Sequence, residues 1–122
     1  TPNENHLIRS ENINKMKDGS YISNTARGAL VDTKALISAL KSGKLAVASL
    51  DTYENESDIF NHDLSGKKIE DPIFKELLAL DNVLVTPHIA FYTETAVENM
   101  VLISLNSAKS VCEDGTASTI VK

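Results

Sequence analysis

The pattern of apolar and polar positions along the chain alternates short apolar runs with segments of helical spacing. Apolar runs over residues 21–25, 45–50 and 83–86 are too short for typical helices and predict three buried β-strands. Between them, apolar residues recur at helical spacing after Asp32 and after Asp71, and each aspartate is expected to cap a helix. Strands and helices that alternate at this spacing predict parallel strands joined by right-handed crossovers.

Helices are also predicted on both sides of this unit. Ser10 is expected to cap a short helix that runs through Lys17. A long helix is predicted over about residues 93–111. It begins either with Thr93 as its cap or with a capping box at residues 95–98.

The predicted sheet is incomplete by itself. The acidic segment 54–70 is predicted to be a loop that Ile59, Phe60 and Leu64 hold against the core. One layer of helices would cover only one face of the strands, whereas parallel sheets are normally covered on both faces. The predicted fold is therefore α/β, and it corresponds to the second half of a doubly wound, Rossmann-like parallel-sheet domain.

Composition excludes several function classes. The chain has 122 residues and is 42% hydrophobic, as expected for one packed domain. Its net charge is −5 with both signs interspersed, so we expect no nucleic-acid partner. No apolar run approaches the roughly 18 residues of a membrane span, so we expect no membrane partner. Cys112 is the only cysteine, which excludes an internal disulfide and agrees with a cytoplasmic location.

The chain begins at Thr1-Pro2 and has no initiator methionine. Pro2 suits the first turn of a short helix capped by Thr1. We expect a processed or truncated product, although cloning or proteolysis explains this start equally well.

Polar groups follow each predicted strand at the point where the strand ends. Arg27 follows the first strand, Asp51 and Glu56 follow the second, and His88 follows the third. We expect them to converge, because open α/β sheets gather their chemistry at the carboxyl ends of parallel strands. Arginine binds a carboxylate through two parallel hydrogen bonds, and histidine moves protons near neutral pH. These groups would together hold an anionic substrate and move a proton.

Each of these residues also has a structural explanation when it is considered alone. Arg27 could be a surface arginine in a turn, Glu56 a solvated acid, and His88 a hydrogen-bonded structural histidine. Gly28 is expected to let the backbone come close to a ligand.

Other polar residues carry no comparable signal. We interpret His6, His62 and Glu54 as ordinary surface residues. His62-Asp63 has no second ligand pair at a suitable spacing, so no metal site is predicted. The sequence contains no nucleophile elbow, P-loop or Gly-x-Gly-x-x-Gly fingerprint.

Three ordered segments carry a family resemblance. Residues 24–32 read Asn-Thr-Ala-Arg-Gly-Ala-Leu-Val-Asp, residues 50–56 read Leu-Asp-Thr-Tyr-Glu-Asn-Glu, and residues 86–93 read Thr-Pro-His-Ile-Ala-Phe-Tyr-Thr. They closely resemble the motifs of the D-2-hydroxyacid dehydrogenase family, and the similarity covers nearly the whole chain. Ile59-Phe60 and Phe91-Tyr92 are similar to the D-lactate dehydrogenase branch of that family.

The resemblance implies a reaction and a set of site residues. A hydride would pass between NAD and C2 of a 2-hydroxy or 2-keto acid. Arg27 would hold the substrate carboxylate, His88 would give or take the proton, and Glu56 would keep His88 protonated. By this resemblance the catalytic residues are Arg27, Glu56 and His88; NAD would contact Thr25, Ala26, Arg27, Asp51 and His88; and the substrate would contact Arg27, His88 and Phe91.

The resemblance also implies how the chain is organised. Residues 1–92 would form the C-terminal half of the NAD-binding domain, and residues 93–122 would form the helix and tail that return to the substrate domain. The glycine-rich phosphate loop and most of the substrate domain would precede Thr1. We therefore expect a C-terminal fragment, inactive alone, of a cytoplasmic homodimeric dehydrogenase. Val47 and Ser49 depart from the small residues that the family usually has there, which puts the local helix–strand packing in doubt.

Three alternatives stay open at this point. The chain could belong to an NAD-sensing corepressor or interaction module on the same fold. It could belong to a D-2-hydroxyisocaproate-type dehydrogenase with a bulkier substrate. It could also be a stable remnant that associates with itself through the uncovered face of its sheet.

Overall fold

A computed structural model describes residues 6–60, 62–63 and 65–120. Three strands, β1 (Ser20–Asn24), β2 (Leu45–Leu50) and β3 (Val83–Val85), form a parallel sheet in the order β1-β2-β3. Asn24 is level with Leu50, and Leu50 is level with Val85. The carboxyl ends of the strands therefore lie in one row, and the predicted parallel α/β arrangement is confirmed.

Two predicted aspartate caps are confirmed. Helix α2 (Thr33–Lys41) begins after Asp32, whose side chain accepts a hydrogen bond from the Ala35 amide at 3.0 Å. Helix α3 (Pro72–Leu78) begins after Asp71, which accepts from the amides of the second and third helical residues at 2.9 and 3.1 Å. Both carboxylates satisfy amide groups that have no partner inside the helix.

The predicted start and end of the first helix are wrong. Helix α1 spans Ser10–Lys15, and the residue before it, Arg9, makes no side-chain capping bond. Ser10 is therefore the first helical residue and not the cap. The helix stops at Lys15 because Met16 has an extended backbone, with ψ 160.

The long helix α4 spans Glu94–Asp114. Thr93 caps it by accepting a hydrogen bond from the Ala96 amide at 3.3 Å, so the alternative capping box at residues 95–98 is wrong. The helix runs past the predicted end at residue 111 and stops before Gly115, which has a left-handed φ of 70. Glycine adopts this conformation without a steric penalty.

The core lies between the sheet and helices α1 to α3, and the other face of the sheet is exposed. Leu36, Leu45 and Leu77 are fully buried. Tyr21 of β1 is 72% exposed and Leu84 of β3 is 59% exposed. The strand predicted over residues 21–25 is present as β1, but the prediction that it is buried is wrong for Tyr21 and Ser23, because burial alternates along β1. Val47 is also exposed, so its bulk does not enter the core.

The acidic loop is held as predicted at two positions. Phe60 is buried and its ring meets Phe74 edge-on at a centroid distance of 6.0 Å. Ile59 packs against the core and follows a short 3-10 turn over Glu56–Asp58. The predicted contact of Leu64 and the predicted first-turn helix at Thr1-Pro2 lie outside the described residues.

The chain divides into two compact units between Ile89 and Ala90. The first unit contains the sheet and helices α1 to α3, and the second contains α4. Among the described residues, no helix combines the length and the apolar character needed to cross a membrane.

Candidate functional site

The turn that carries Arg27 is shaped by Asn24, the last residue of β1. The Asn24 side chain accepts a hydrogen bond from the Ala26 amide at 3.1 Å and donates one to the Arg27 carbonyl at 2.8 Å. Asn24 is buried, whereas Thr25, Ala26 and Arg27 are exposed. Asn24 was not among the residues predicted from the sequence, although asparagine is known to bond the backbone two residues ahead in turns.

Arg27 points its guanidinium along its own turn in this structure. Its Nη1 donates a hydrogen bond to the Ala26 carbonyl at 2.7 Å. Because the side chain is exposed, the remaining guanidinium N–H groups can reach a carboxylate. Arg27 can therefore bind an anion at the carboxyl end of β1.

Gly28 allows two loops to touch. A Cβ atom at this position would lie 2.0 Å from the carbonyl carbon of Tyr53 and 2.5 Å from the amide nitrogen of Glu54. The predicted space for a ligand at Gly28 is therefore filled by protein backbone. The turn that carries Arg27 and the loop that carries Glu56 are in direct contact.

Tyr53 anchors the loop after β2. Its ring is 3% exposed and lies 4.7 Å from the Phe74 ring, and its hydroxyl donates to Asp71 Oδ2 at 2.8 Å. Burial and then the hydrogen bond to Asp71 raise the pKa of Tyr53 far above its ordinary value. Burial alone would raise the pKa of Asp71, but hydrogen bonds from Tyr53, from the amides of α3 and from Asn55 together lower it.

Glu54 and His6 are not ordinary surface residues, which corrects the interpretation from the sequence. Glu54 Oε2 accepts hydrogen bonds from the Thr33 amide at 3.0 Å and from the Thr33 hydroxyl at 2.5 Å. Its other oxygen lies 2.5 Å from His6 Nε2. Glu54 therefore ties the loop after β2 both to the first turn of α2 and to His6, which precedes α1.

Glu56 and His88 meet as predicted. Glu56 Oε1 lies 2.8 Å from His88 Nδ1, and the two side chains are 26% and 32% exposed. Glu56 Oε2 accepts a hydrogen bond from the Tyr53 amide at 2.9 Å. A carboxylate at Nδ1 favours the form with a proton on that nitrogen, so Nε2 is the atom that can exchange a proton with a ligand.

Asp51 holds the turn that presents His88. Its Oδ1 accepts hydrogen bonds from the Thr86 hydroxyl at 2.5 Å and from the Ile89 amide at 2.9 Å. His88 lies between these two donors and has a left-handed φ of 55. That conformation is uncommon outside glycine, and these hydrogen bonds support it here.

Phe91 and His62 contact residues that are near them in sequence. Phe91 belongs to the second unit, where its ring meets Tyr92 edge-on at 6.1 Å. His62 Nε2 lies 2.8 Å from the Ser57 carbonyl oxygen. Among the described residues, no three His, Cys, Asp or Glu side chains are grouped as a metal ion requires.

A separate cleft of about 950 Å³ runs along the acidic loop between Asn55 and Ile73. It contains none of Arg27, Glu56 and His88. Asp71 in its wall already bonds Tyr53 and caps α3. The arrangement of groups at the strand ends therefore identifies the candidate site better than the cleft does.

The fold and the site together define one class of protein. A parallel sheet with charged groups gathered at its carboxyl edge is typical of Rossmann-like nucleotide-binding domains. The chain belongs to the D-isomer specific 2-hydroxyacid dehydrogenase family, because residues 1–90 match that family's NAD binding domain. NAD is the cofactor of this kind of domain.

The similar proteins agree with this assignment. A D-lactate dehydrogenase of Lactiplantibacillus plantarum is 57% identical over 117 residues, which are 96% of this chain and 35% of that protein. An NAD-complexed D-isomer specific 2-hydroxyacid dehydrogenase of Lactobacillus delbrueckii ssp. bulgaricus has a TM-score of 0.89 and 40% identity, covering 100% of this chain and 37% of that one. A D-2-hydroxyisocaproate dehydrogenase structure has a TM-score of 0.88 and 44% identity, covering 99% and 37%. The chain thus spans about a third of the length of the relatives it matches.

Proposed function

We propose that this chain supplies the proton-transfer and carboxylate-binding groups of an NAD-dependent dehydrogenase. The whole enzyme would interconvert D-lactate, or a related D-2-hydroxy acid, and the corresponding 2-keto acid. The observation that carries the proposal is the Glu56–His88 hydrogen bond of 2.8 Å at the carboxyl end of the sheet. The turn that carries Arg27 contacts the same loop through Gly28.

Arg27 would bind the substrate carboxylate. A guanidinium forms two parallel hydrogen bonds with a carboxylate, which fixes the orientation of the acid. Its positive charge would also stabilise the negative charge that develops on the substrate oxygen during reduction. The exposure of Arg27 at the end of β1 supports this role.

His88 would exchange the proton. NAD, when bound, supplies or accepts the hydride at C2. During reduction, protonated His88 would donate the Nε2 proton to the keto oxygen, and during oxidation neutral His88 would remove it. Glu56 would hold the proton on Nδ1 in both directions, as the 2.8 Å contact supports.

The groups at the strand ends would bind the nicotinamide end of NAD. Thr25 and Ala26 are exposed beside Arg27, so they would line that end of the cofactor. Asp51 is 3% exposed and bonds the turn around His88, so it would act there by fixing His88 beside the cofactor. Arg27 and His88 would then contact both the cofactor and the substrate.

We propose that Phe91 contributes to the size of the substrate that is accepted. Phe91 would shape the pocket wall, and its half-exposed ring supports this role. The similarity to a D-2-hydroxyisocaproate dehydrogenase supports a second candidate, a branched-chain 2-hydroxy acid. We further propose a cytoplasmic homodimer without nucleic-acid or membrane partners; the net charge of −5 and the single cysteine support the location and the absence of nucleic acid.

A chimeric enzyme tests the activity. This chain would replace the matching third of the Lactiplantibacillus plantarum enzyme, with which it shares 57% identity over 117 residues. We expect oxidation of NADH with pyruvate or with 2-ketoisocaproate, and the ratio of the two rates identifies the substrate class. A folded chimera that binds NADH but turns over neither acid contradicts the proposal.

A further inference from the structure

The loop that carries Glu56 is held by contacts that take no direct part in the proposed reaction. The Tyr53 hydroxyl bonds Asp71 at the start of α3, and Glu54 bonds Thr33 at the start of α2. The carbonyl of Tyr53 also rests against Gly28. The short segment between Asp51 and Glu56 is therefore fixed to both helices and to the turn that carries Arg27.

We propose that Tyr53 is a positioning residue of this site, and that its hydroxyl bond to Asp71 sets the orientation of the Glu56 carboxylate. The expected effect on turnover rests on the proposed function. The expected effect on the Glu56–His88 bond does not, because that bond joins two side chains of this chain.

The backbone of Tyr53 connects its side chain to Glu56. The Tyr53 amide donates to Glu56 Oε2 at 2.9 Å, while Oε1 of the same carboxylate lies 2.8 Å from His88 Nδ1. Both oxygens are therefore engaged at once. If the Tyr53 amide moves, the carboxylate must turn to follow it, and the contact with His88 lengthens.

The side chain of Tyr53 can hold its own backbone in place. The ring is buried against Phe74, and the hydroxyl is fixed by an Asp71 carboxylate whose other oxygen caps α3. The raised pKa of Tyr53 keeps the phenol protonated, and the lowered pKa of Asp71 keeps the carboxylate ionised. A hydrogen bond from a neutral hydroxyl to a charged carboxylate is strong, so the Asp71 carboxylate holds the Tyr53 side chain in place.

The position of Tyr53 also affects the turn that carries Arg27. The Tyr53 carbonyl occupies the space where a Cβ of residue 28 would be, next to Arg27. A displaced Tyr53 therefore disturbs the support of the Arg27 turn as well as the partner of Glu56. Among the tyrosines, Tyr21 offers a matched control, because it is 72% exposed on the open face of the sheet.

The first test observes the His88 Nδ1 proton by nuclear magnetic resonance, in the 122-residue chain and in the chimera. We expect its low-field resonance in the original sequence and in Tyr21→Phe, and its loss by exchange in Tyr53→Phe. The dispersion of the amide spectrum reports whether each variant is folded. A folded Tyr53→Phe variant that retains the resonance overturns the proposal.

The second test measures turnover by the chimera. We expect Tyr53→Phe to lower kcat roughly ten-fold while KM for NADH stays unchanged, since a small misplacement of catalytic groups slows the reaction step. Asp71→Ser keeps an oxygen that can cap α3 but removes the acceptor of Tyr53, so it should cause the same loss. The two changes combined should lower kcat no further than either alone.

The two tests distinguish a failure of the Tyr53 proposal from a failure of the proposed function. A chimera with the original sequence that is inactive contradicts the proposed function, while the His88 resonance still decides the role of Tyr53. If Tyr53→Phe does not fold, Asp71→Ser provides the same comparison. If the losses of kcat from Tyr53→Phe and Asp71→Ser add fully in the double variant, the proposal is overturned. Additive losses would mean that the two side chains act independently and that their hydrogen bond does not orient Glu56.

Discussion

Gly28 lies directly against the peptide carbonyl of Tyr53, so close that a methyl group on Gly28 would be 2.1 Å from the carbonyl oxygen. The contact joins two segments that are distant in sequence and that carry different site residues. Arg27 precedes Gly28 in one segment, and Glu56 follows Tyr53 in the other. The relative position of these two charged groups therefore depends on the absence of a side chain.

Gly28→Ala should be strongly destabilising. The new methyl group meets backbone atoms, which cannot rotate away as a side chain can, and we expect a loss of about 3 kcal/mol in the free energy of unfolding. Urea denaturation measures it. Gly43→Ala is the control, because Gly43 has open space and a φ of 77, so it should lose only the left-handed backbone penalty of about 1–2 kcal/mol. Equal losses in the two variants would contradict the steric explanation.

Arg27→Lys should lower kcat/KM of the chimera for the 2-keto acid by about 100-fold. Lysine keeps the charge but cannot form two parallel hydrogen bonds with the substrate carboxylate. Steady-state kinetics at several acid concentrations measures this. Arg9→Lys is the control, since Arg9 pairs with Glu11 at the surface at 3.0 Å. Unchanged kcat/KM in Arg27→Lys would exclude Arg27 as the carboxylate anchor.

Asp71 should titrate below its ordinary pKa of 3.8. Its ionised form is stabilised in the folded state, so its contribution to stability is present above the unfolded pKa and is lost as pH falls through the folded pKa. The carboxyl carbon resonance of Asp71 should therefore move at a pH below 3.8. Tyr53→Phe removes one of the hydrogen bonds that lower the pKa and should raise the midpoint. A midpoint that does not respond to Tyr53→Phe would contradict this account.

Thr52→Val should stabilise the protein. Thr52 is 1% exposed, and within the described part of the chain its hydroxyl has no hydrogen-bond partner. A buried hydroxyl without a partner costs free energy, and valine has nearly the same shape, so we expect a gain of about 1 kcal/mol. Thermal unfolding compares this variant with Thr95→Val at the exposed start of α4. A decrease in stability would show that the hydroxyl is satisfied.

Glu54→Gln should be destabilising by about 1–2 kcal/mol, because one carboxylate oxygen accepts two hydrogen bonds from Thr33 and the other contacts His6. Glu11→Gln breaks an exposed pair and should change stability by less than about 0.5 kcal/mol. Urea midpoints measure both. The two variants should differ, and indistinguishable midpoints would restore the view of Glu54 as a solvated acid.

Local chemistry made much of the fold predictable from the sequence. Asp32 and Asp71 cap their helices because the groups they satisfy lie two or three residues ahead in the chain. Glu56 and His88 were expected to meet because the ends of neighbouring parallel strands are adjacent in any such sheet. Ser10 was misassigned because its neighbour Arg9 takes the cap position without a side-chain bond.

Contacts between segments that are distant in sequence could not be predicted, because no local pattern of residues indicates them. Glu54 meets Thr33 and His6 across separate loops, and neither spacing nor residue type distinguishes it from a solvated acid. Gly28 was expected to let the backbone come close to a ligand, but the backbone of Tyr53 fills that space, and no local pattern in the sequence indicates this contact. Tyr21 was assigned to a buried strand because its neighbours are apolar, although only alternate residues face the helices.

The level row formed by Asn24, Leu50 and Val85 has a consequence for insertions and deletions. A residue inserted within a strand would advance whatever follows it by about 3.3 Å and turn the strand's side chains to opposite faces. Length changes at the other ends of the strands, or in the crossovers, leave the row intact. Divergent copies of this domain should therefore differ in length around the helices and at the amino ends of the strands, with no insertion or deletion in the strand residues next to the row.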